Sequence, residues 1–282
     1  MMIYYVCLQR YRNTILNWLN KYDRYHRGDF KVLGYLQLAA VKKKGVVIFT
    51  DFDRLTSEYR AKAGEHCEAM IDNGYRVLNH PSKSLLRYDL QKSMRNDFAV
   101  YREDEVSRCR FPVFIRKEYE HEGSESSLIE DRVGLELALS ENPGSLTVEY
   151  LDVSDEDGVF RKYSSFCIGG EIIPRHILFS KQWEVKVPKF VNSATIEEEL
   201  NYITNNSHED EVRAVFELAN IQYGRIDYSF YKGKMQVWEI NTNPILIVAE
   251  NTEFAERKKV HQMTADRINH VFLNLDLESG GG

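Results

Sequence analysis

Apolar and polar positions alternate along the chain in two recognisable ways. Residues 45–52, "GVVIFTDF", form a short, mostly apolar run of buried-strand type. Residues 56–74, "TSEYRAKAGEHCEAMIDNG", predict a helix, with Thr56 or Ser57 placed to cap its start and Gly74 to end it. Residues 75–81, "YRVLNHP", predict another short strand, closed by Pro81. Strand, helix, strand is one βαβ unit, which gives a parallel sheet with a right-handed crossover. A further helix is predicted over 84–98, "SLLRYDLQKSMRNDF". Residues 1–110 therefore read as a small α/β domain with a linker helix.

From "FPVFIRKE" (111–118) the texture changes. "LTVEYLD" (146–152), "VFRKYSSFCIGGEIIPRHILFS" (159–180) and "GRIDYSFYKGKMQVWEINTNP" (224–244) are strand-rich and bounded by Gly or Asp. Helices are predicted between them at 195–206 and 209–221. This pattern suggests two α+β lobes, 111–150 and 151–276, with a further change of texture near 190. "LESGGG" at 277–282 reads as a flexible tail.

The stretch 224–244 also carries a candidate site. Two runs rich in β-branched and aromatic residues, Arg225–Tyr231 and Met235–Ile240, flank Lys232-Gly233-Lys234, a hairpin signal. With a three-residue loop Tyr231 pairs with Met235, which sets Asp227 opposite Glu239. Facing carboxylates destabilise a sheet. A hard cation between them would remove the conflict: Asp227, Glu239 and the amide oxygen of Asn241 make an all-oxygen set of the kind Mg²⁺ takes, with phosphate oxygens completing its octahedron. The alternative is a solvated hairpin face with Arg225 and Lys234 as counter-ions.

Composition narrows the classes. The chain has 282 residues, 43% apolar and 28% charged, with a formal net charge of −6, an ordinary globular composition. No run approaches the roughly 20 apolar residues of a membrane span, and "MMIYYVCLQRYRNT" lacks the pattern of a signal peptide. Cys7, Cys67, Cys109 and Cys167 lie far apart without a CxxC, so reduced thiols and a cytoplasmic location are expected. Residues 1–50 hold nine Lys and Arg against Asp23 and Asp29, whereas 117–160 are acidic. The negative total weighs against nucleic acid. Oligomeric state leaves no trace in the sequence.

Four stretches follow one another in a fixed order: "RFPVFIRKEYEHEGSES" (110–126), "VEYLDVSDEDG" (148–158), "GGEIIPRH" (169–176) and the hairpin ending in "EINTNP". That order resembles the ATP-grasp superfamily from about residue 75 onward, and "R-x-D … E-x-N-x-x-P" is its specific part. The resemblance implies an ATP-grasp fold of class α/β (α+β): a small N-terminal parallel-sheet domain followed by two α+β lobes that hold the nucleotide between them. It implies ATP and Mg²⁺ as cofactors, with Mn²⁺ an alternative ion. Arg116 and Arg87 would contact phosphate, and residues 120–127, including Ser124, would be the phosphate loop, here with a single glycine among carboxylates. Glu149, Tyr150 and Leu151 would be the adenine hinge, Asp152 or Asp155 the ribose contact, and Lys162 a further nucleotide contact. Asp227, Glu239 and Asn241 would hold the metal. Arg225 would stabilise charge on the transferred phosphoryl, and Arg175 would act on the substrate, with His176 structural. The implied reaction joins a small-molecule or peptide carboxylate to an amine through an acyl-phosphate. The alternatives are phosphoryl transfer to a hydroxyl and nucleotide binding without turnover.

Overall fold

The two central strands of the first third, 2–6 and 45–49, are apolar on both faces, as parallel strands covered on both sides must be. β1 (Met2–Val6), β2 (Phe30–Leu33), β3 (Gly45–Phe49) and β4 (Arg76–Leu78) form a parallel sheet in the order β2-β1-β3-β4. This computed structural model describes residues 2–22, 29–121, 123–186, 190–246 and 255–275, so the tail expected at 277–282 lies outside the described residues. Tyr4, Val6, Val47 and Phe49 pack into one core, and Ile3, Tyr5, Val46 and Ile48 into a second with Trp18 and Phe272. Three helices belong to this region: α1 (Asn13–Tyr22), α2 (Ser57–Asp72) and α3 (Arg87–Ser93). Thr56 caps α2 by accepting the Tyr59 N–H at 3.4 Å, as the sequence predicts.

The helix predicted over 84–98 is confined to α3. Asn96 and Asp97 stop its continuation by bonding elsewhere, which is why such residues favour helix ends. The Val237 N–H donates to Asn96 Oδ1 at 3.0 Å, and the Asp97 N–H donates to Gln236 Oε1 at 2.7 Å. This segment is thereby tied to the hairpin that carries the candidate metal ligands.

β5 (Val100–Tyr101), β6 (Val113–Lys117) and β7 (Ser145–Glu149) form an antiparallel sheet in the order β5-β7-β6, backed by α4 (Arg132–Glu141). Period-two alternation sorts β6: Val113 and Ile115 pack on Leu135 and Leu139 of α4, and Phe114 packs on the opposite side. A larger antiparallel sheet runs β11-β10-β8-β9, from β8 (Phe160–Ile168), β9 (Glu171–Ser180), β10 (Tyr223–Tyr231) and β11 (Lys234–Asn241). α5 (Ser193–Asn205), α6 (Glu209–Ala219) and α7 (Ala255–Leu273) complete the described helices. The two cores of the parallel sheet continue into this larger sheet: Ile226, Tyr228 and Val237 join the first, and Phe166, Ile168 and Tyr223 the second.

Candidate active site

The hairpin reaches the expected pairing by an unexpected route. Its turn is Lys232-Gly233, with φ of 50° and 77°. Two successive positive φ values give a two-residue turn of type I′, which glycine tolerates without strain. Tyr231 therefore pairs with Lys234, and Phe230, not Tyr231, pairs with Met235. A bulge at Trp238 then restores the offset, so Asp227 faces Glu239 and Arg225 faces Asn241. The Trp238 ring stacks on Phe98 with centroids 4.9 Å apart, and its Nε1 donates to Ser229 Oγ at 2.9 Å.

Pairing registers extend this row across the sheet: Glu239, Asp227, Ser164 and His176 occupy successive strands. Directly paired residues share a face, so the row collects polar groups on one side. Each carboxylate has its own counter-ions. Asp227 Oδ1 accepts from Ser164 Oγ at 2.7 Å and from Arg225 Nε at 2.9 Å, and Lys162 Nζ lies 3.6 Å from Oδ2. Glu239 Oε2 accepts from Arg116 Nη2 at 2.8 Å and pairs with Arg87 Nη2. Burial works to raise both carboxyls, but Arg225 and Lys162 hold Asp227 below the usual range, and Arg116 and Arg87 hold Glu239 well below it. Burial, followed by Arg175, Arg225, Lys162 and Arg257, drives His176 well below an ordinary imidazole, so it is neutral.

A cleft opens above this row between the two antiparallel sheets. Arg116, Ser124, Tyr150, Leu151, Lys162, Asp227 and Glu239 line it together. Its aromatic wall is Trp183, whose ring centroid lies 5.0 Å from Phe114 and 5.9 Å from Tyr150. The loop after β6 closes one side. Ser124 N donates to Glu184 Oε1 at 3.1 Å, and Gly123, at φ +102°, sits against the ends of the Lys186 and Glu184 side chains. The carboxylates of this loop are not all solvated: Glu118 is buried and accepts from Arg102 Nη2 at 2.7 Å. Glu122 lies outside the described residues.

Arg87, Arg225 and Asn241 reach the site through partners. Arg87 sits on Glu239, Arg225 on Asp227, and Asn241 Oδ1 accepts the Asn243 N–H at 2.9 Å. The remaining expected residues make further contacts. The Glu149 side chain is buried behind the cleft, where it accepts from Arg110 Nη2 at 2.8 Å, Tyr101 Oη at 2.8 Å and Arg110 N at 2.9 Å. The Tyr150 N–H is used by Pro112 O at 3.0 Å. Asp152 Oδ1 accepts the Ser154 N–H at 3.0 Å, and Asp155 Oδ1 accepts those of Asp157 and Val159 at 3.0 and 2.8 Å. Both are local turn contacts that shape the 151–159 loop, and Asp155 Oδ2 also pairs with Arg161 Nη1 at 2.5 Å. Arg175, where a β9 bulge opposes Ser164 and Ser165, is buried and donates to Leu246 O at 3.2 Å. Trp183, Glu184, Arg161 and Phe160 line the cleft without having been expected there. Their signal was faint, because an aromatic or a carboxylate in an irregular segment has no period to mark it.

Neither a protein-family model nor a curated protein matches the chain by sequence. Solved structures do match in fold. The D-alanine–D-alanine ligase of Bacillus anthracis, complexed with ATP, superposes with a TM-score of 0.52 at 14% identity, over 96% of this chain and 99% of that one. The ATP-grasp ligase PsnB, complexed with a precursor variant, Mg and ADP, gives 0.53 at 10% identity, over 95% and 97%. A RimK-domain ATP-grasp protein from Sphaerobacter thermophilus gives 0.52 at 12% identity, over 94% and 98%. Parallel-sheet domain, small antiparallel lobe and four-stranded antiparallel sheet follow one another here in that arrangement, and this chain has the ATP-grasp fold.

Proposed function

We propose that the protein is an Mg²⁺-dependent ATP-using ligase that joins a carboxylate to an amine through an acyl-phosphate. The observation that carries this reading is the convergence of Arg116, Lys162, Asp227 and Glu239 on one cleft with an aromatic wall at its other end. Phosphoryl transfer needs positioning and cations on the developing charge, and little covalent chemistry from the protein. Similar structures solved with ATP, or with Mg and ADP, support the same assignment.

The donor set fits a hard cation. Asp227 and Glu239 face each other in register and both line the cleft. Among the described residues the contacts of Glu239 fall on Oε2, which leaves Oε1 available to a cation. Asn241 Oδ1 holds one N–H and keeps a second lone pair. A bound Mg²⁺ would neutralise phosphate charge there. The chain's own groups do the rest. Trp183, Phe114 and Tyr150 would stack on and enclose the base. Arg116 and Arg87 would hold phosphate, and Arg225 would face the transferred phosphoryl and the substrate carboxylate.

In the first step a substrate carboxylate oxygen bonds to the γ-phosphorus as its bond to the β–γ bridging oxygen breaks, releasing ADP. In the second the amine nitrogen bonds to the acyl carbon, the acyl–oxygen bond breaks, and phosphate and a proton leave. The test is ADP release with a panel of carboxylic acids and amines. Release that needs Mg²⁺, an acid and an amine together is expected. Release that needs only a hydroxyl compound would make the protein a kinase, and none at all with bound ATP would make it a nucleotide-binding protein without turnover.

A further inference from the structure

Regular alternation would put Arg175, not His176, into the polar row. Counting along β9 from the Phe166–Ile173 pair, an unbroken ladder sets Arg175 opposite Ser164. The β9 bulge inserts one residue, so His176 takes that place instead. The neighbours of His176 fix which side it is on. Ile177 packs with Tyr202 of α5 and Val260 of α7, whereas Leu178 packs with Phe160, Val185 and Trp183 on the cleft side. His176 lies two residues before Leu178 and shares that side. Ser164 stands between it and Asp227, so two strand spacings put its backbone about 10 Å from that of Asp227. The sequence suggests the reverse assignment, with Arg175 on the substrate and His176 structural.

His176 does not spend its ring on the sheet. It is partly buried, and among the described residues neither ring nitrogen has a hydrogen-bond partner. The hydroxyl of Ser164 beside it is already committed to Asp227. Burial first, then Arg175 on β9, Arg225 on β10, Lys162 on β8 and Arg257 on α7 keep the imidazole neutral. Two carboxylates answer these cations. Asp227 pairs with Arg225 and Lys162, and Glu199 of α5 pairs with Arg257. Even without Arg175, three cations stand against two carboxylates among the described residues. That field favours an anionic group and disfavours an ammonium. A neutral imidazole adds a donor N–H there without a further charge, and its tautomer can supply the N–H from either nitrogen.

We propose that His176 binds the acid substrate, donating a ring N–H to the carboxylate that is activated and holding it beside Arg225 for attack on the γ-phosphorus. This rests on the reading of the cleft as the place where a carboxylate is phosphorylated. Acetate is the simplest carboxylate probe, and nuclear magnetic resonance follows it on the full chain with Mg²⁺ and ADP at pH 7. The ring signals of His176 are those missing from His176→Asn. Acetate should shift them saturably, and methylammonium at the same concentrations should not. His176→Ala should weaken acetate about tenfold, the weight of one hydrogen bond to a charged group, read from broadening of the acetate signal. His176→Asn keeps an N–H donor and should recover most of that loss. Circular dichroism checks folding, and if His176→Ala does not fold, the wild-type ring signals and His176→Asn decide. Ring signals that ignore acetate, an equal shift from chloride, or undiminished acetate affinity in folded His176→Ala overturn the proposal. A shift caused by methylammonium instead of acetate overturns it too, and moves the ring to the amine. Acetate that binds here while no acid supports ADP release overturns the ligase reading and leaves the carboxylate site standing.

Discussion

Replacing Asp227 by Asn separates the structural reading of the hairpin from the one its sequence invites. Two facing carboxylates alone predict relief on losing a charge. The structure predicts the opposite, because Asp227 is the counter-ion of Arg225, at 2.9 Å, and of Lys162, at 3.6 Å, with its side chain 4% exposed. Asparagine can keep the oxygen that Ser164 and Arg225 Nε address. It then turns an NH₂ group toward Arg225 Nη2 and Lys162, donor against donor. At an effective dielectric of about 20, each lost attraction is about 4–6 kcal/mol before solvation. Removing one partner of a buried pair costs about 3–5 kcal/mol net. Two effects reduce this here: both cations reach some water, and repulsion from Glu239 disappears. The net loss expected is about 2 kcal/mol. Urea unfolding of the ligand-free variant at pH 7 measures it, and the rise in melting temperature given by ATP with Mg²⁺ should vanish as well. An unfolding midpoint equal to or above that of the wild type would refute the assignment of Arg225 and Lys162 as its counter-ions.

Three further outcomes follow from the cleft. Arg116→Ala should weaken ATP about tenfold or more while leaving adenosine binding nearly unchanged, and Arg116→Lys should recover much of the loss, since charge is kept and only the fork is lost; calorimetric titrations compare the three proteins. Trp183→Ala should weaken adenosine and ATP by a similar factor, because base–aromatic stacking is worth about 1–3 kcal/mol and involves no phosphate; unequal losses would remove the ring from the base site. Glu149→Gln should cost about 2 kcal/mol of stability, because it breaks a hydrogen-bonded charge, with little change in ATP affinity. Burial pushes the Glu149 carboxyl up, but Arg110 and Tyr101 bring it below the usual value. Its contribution is therefore present above about pH 4.3 and lost as pH falls through the lower folded value, so the variant's stability should be flatter on that acid limb.

The juxtaposition of Arg225, Asp227, Glu239 and Asn241 was legible because they lie on two adjoining strands, where spacing alone brings them together. Even there two errors cancelled, since the turn is one residue shorter than expected and the Trp238 bulge adds one back. The βαβ unit was legible from its caps and apolar runs. β1 and α7 were not. "MIYYV" has no turn before it to mark it as a strand, and α7 buries Arg257, His261, Thr264 and Asn269, which blurs its periodicity. A hydrogen-bonded chain from Asp53 through His121 to Glu239 joins three distant segments, and nothing in their local sequence announces the contact. Asp152 and Asp155 lie in a carboxylate-rich turn that looks like a ligand set, and in the structure one oxygen of each is taken by local N–H groups.

The central claim is that ATP activates a carboxylate as an acyl-phosphate in this cleft, and oxygen-label transfer tests it most directly. Candidate acids carrying heavy oxygen in the carboxylate are turned over with ATP, Mg²⁺ and an amine, and the released phosphate is examined by mass spectrometry. One labelled oxygen per phosphate, with ADP as the other product, is the predicted result. Amide formation accompanied by unlabelled phosphate, or by AMP and pyrophosphate, would contradict the account.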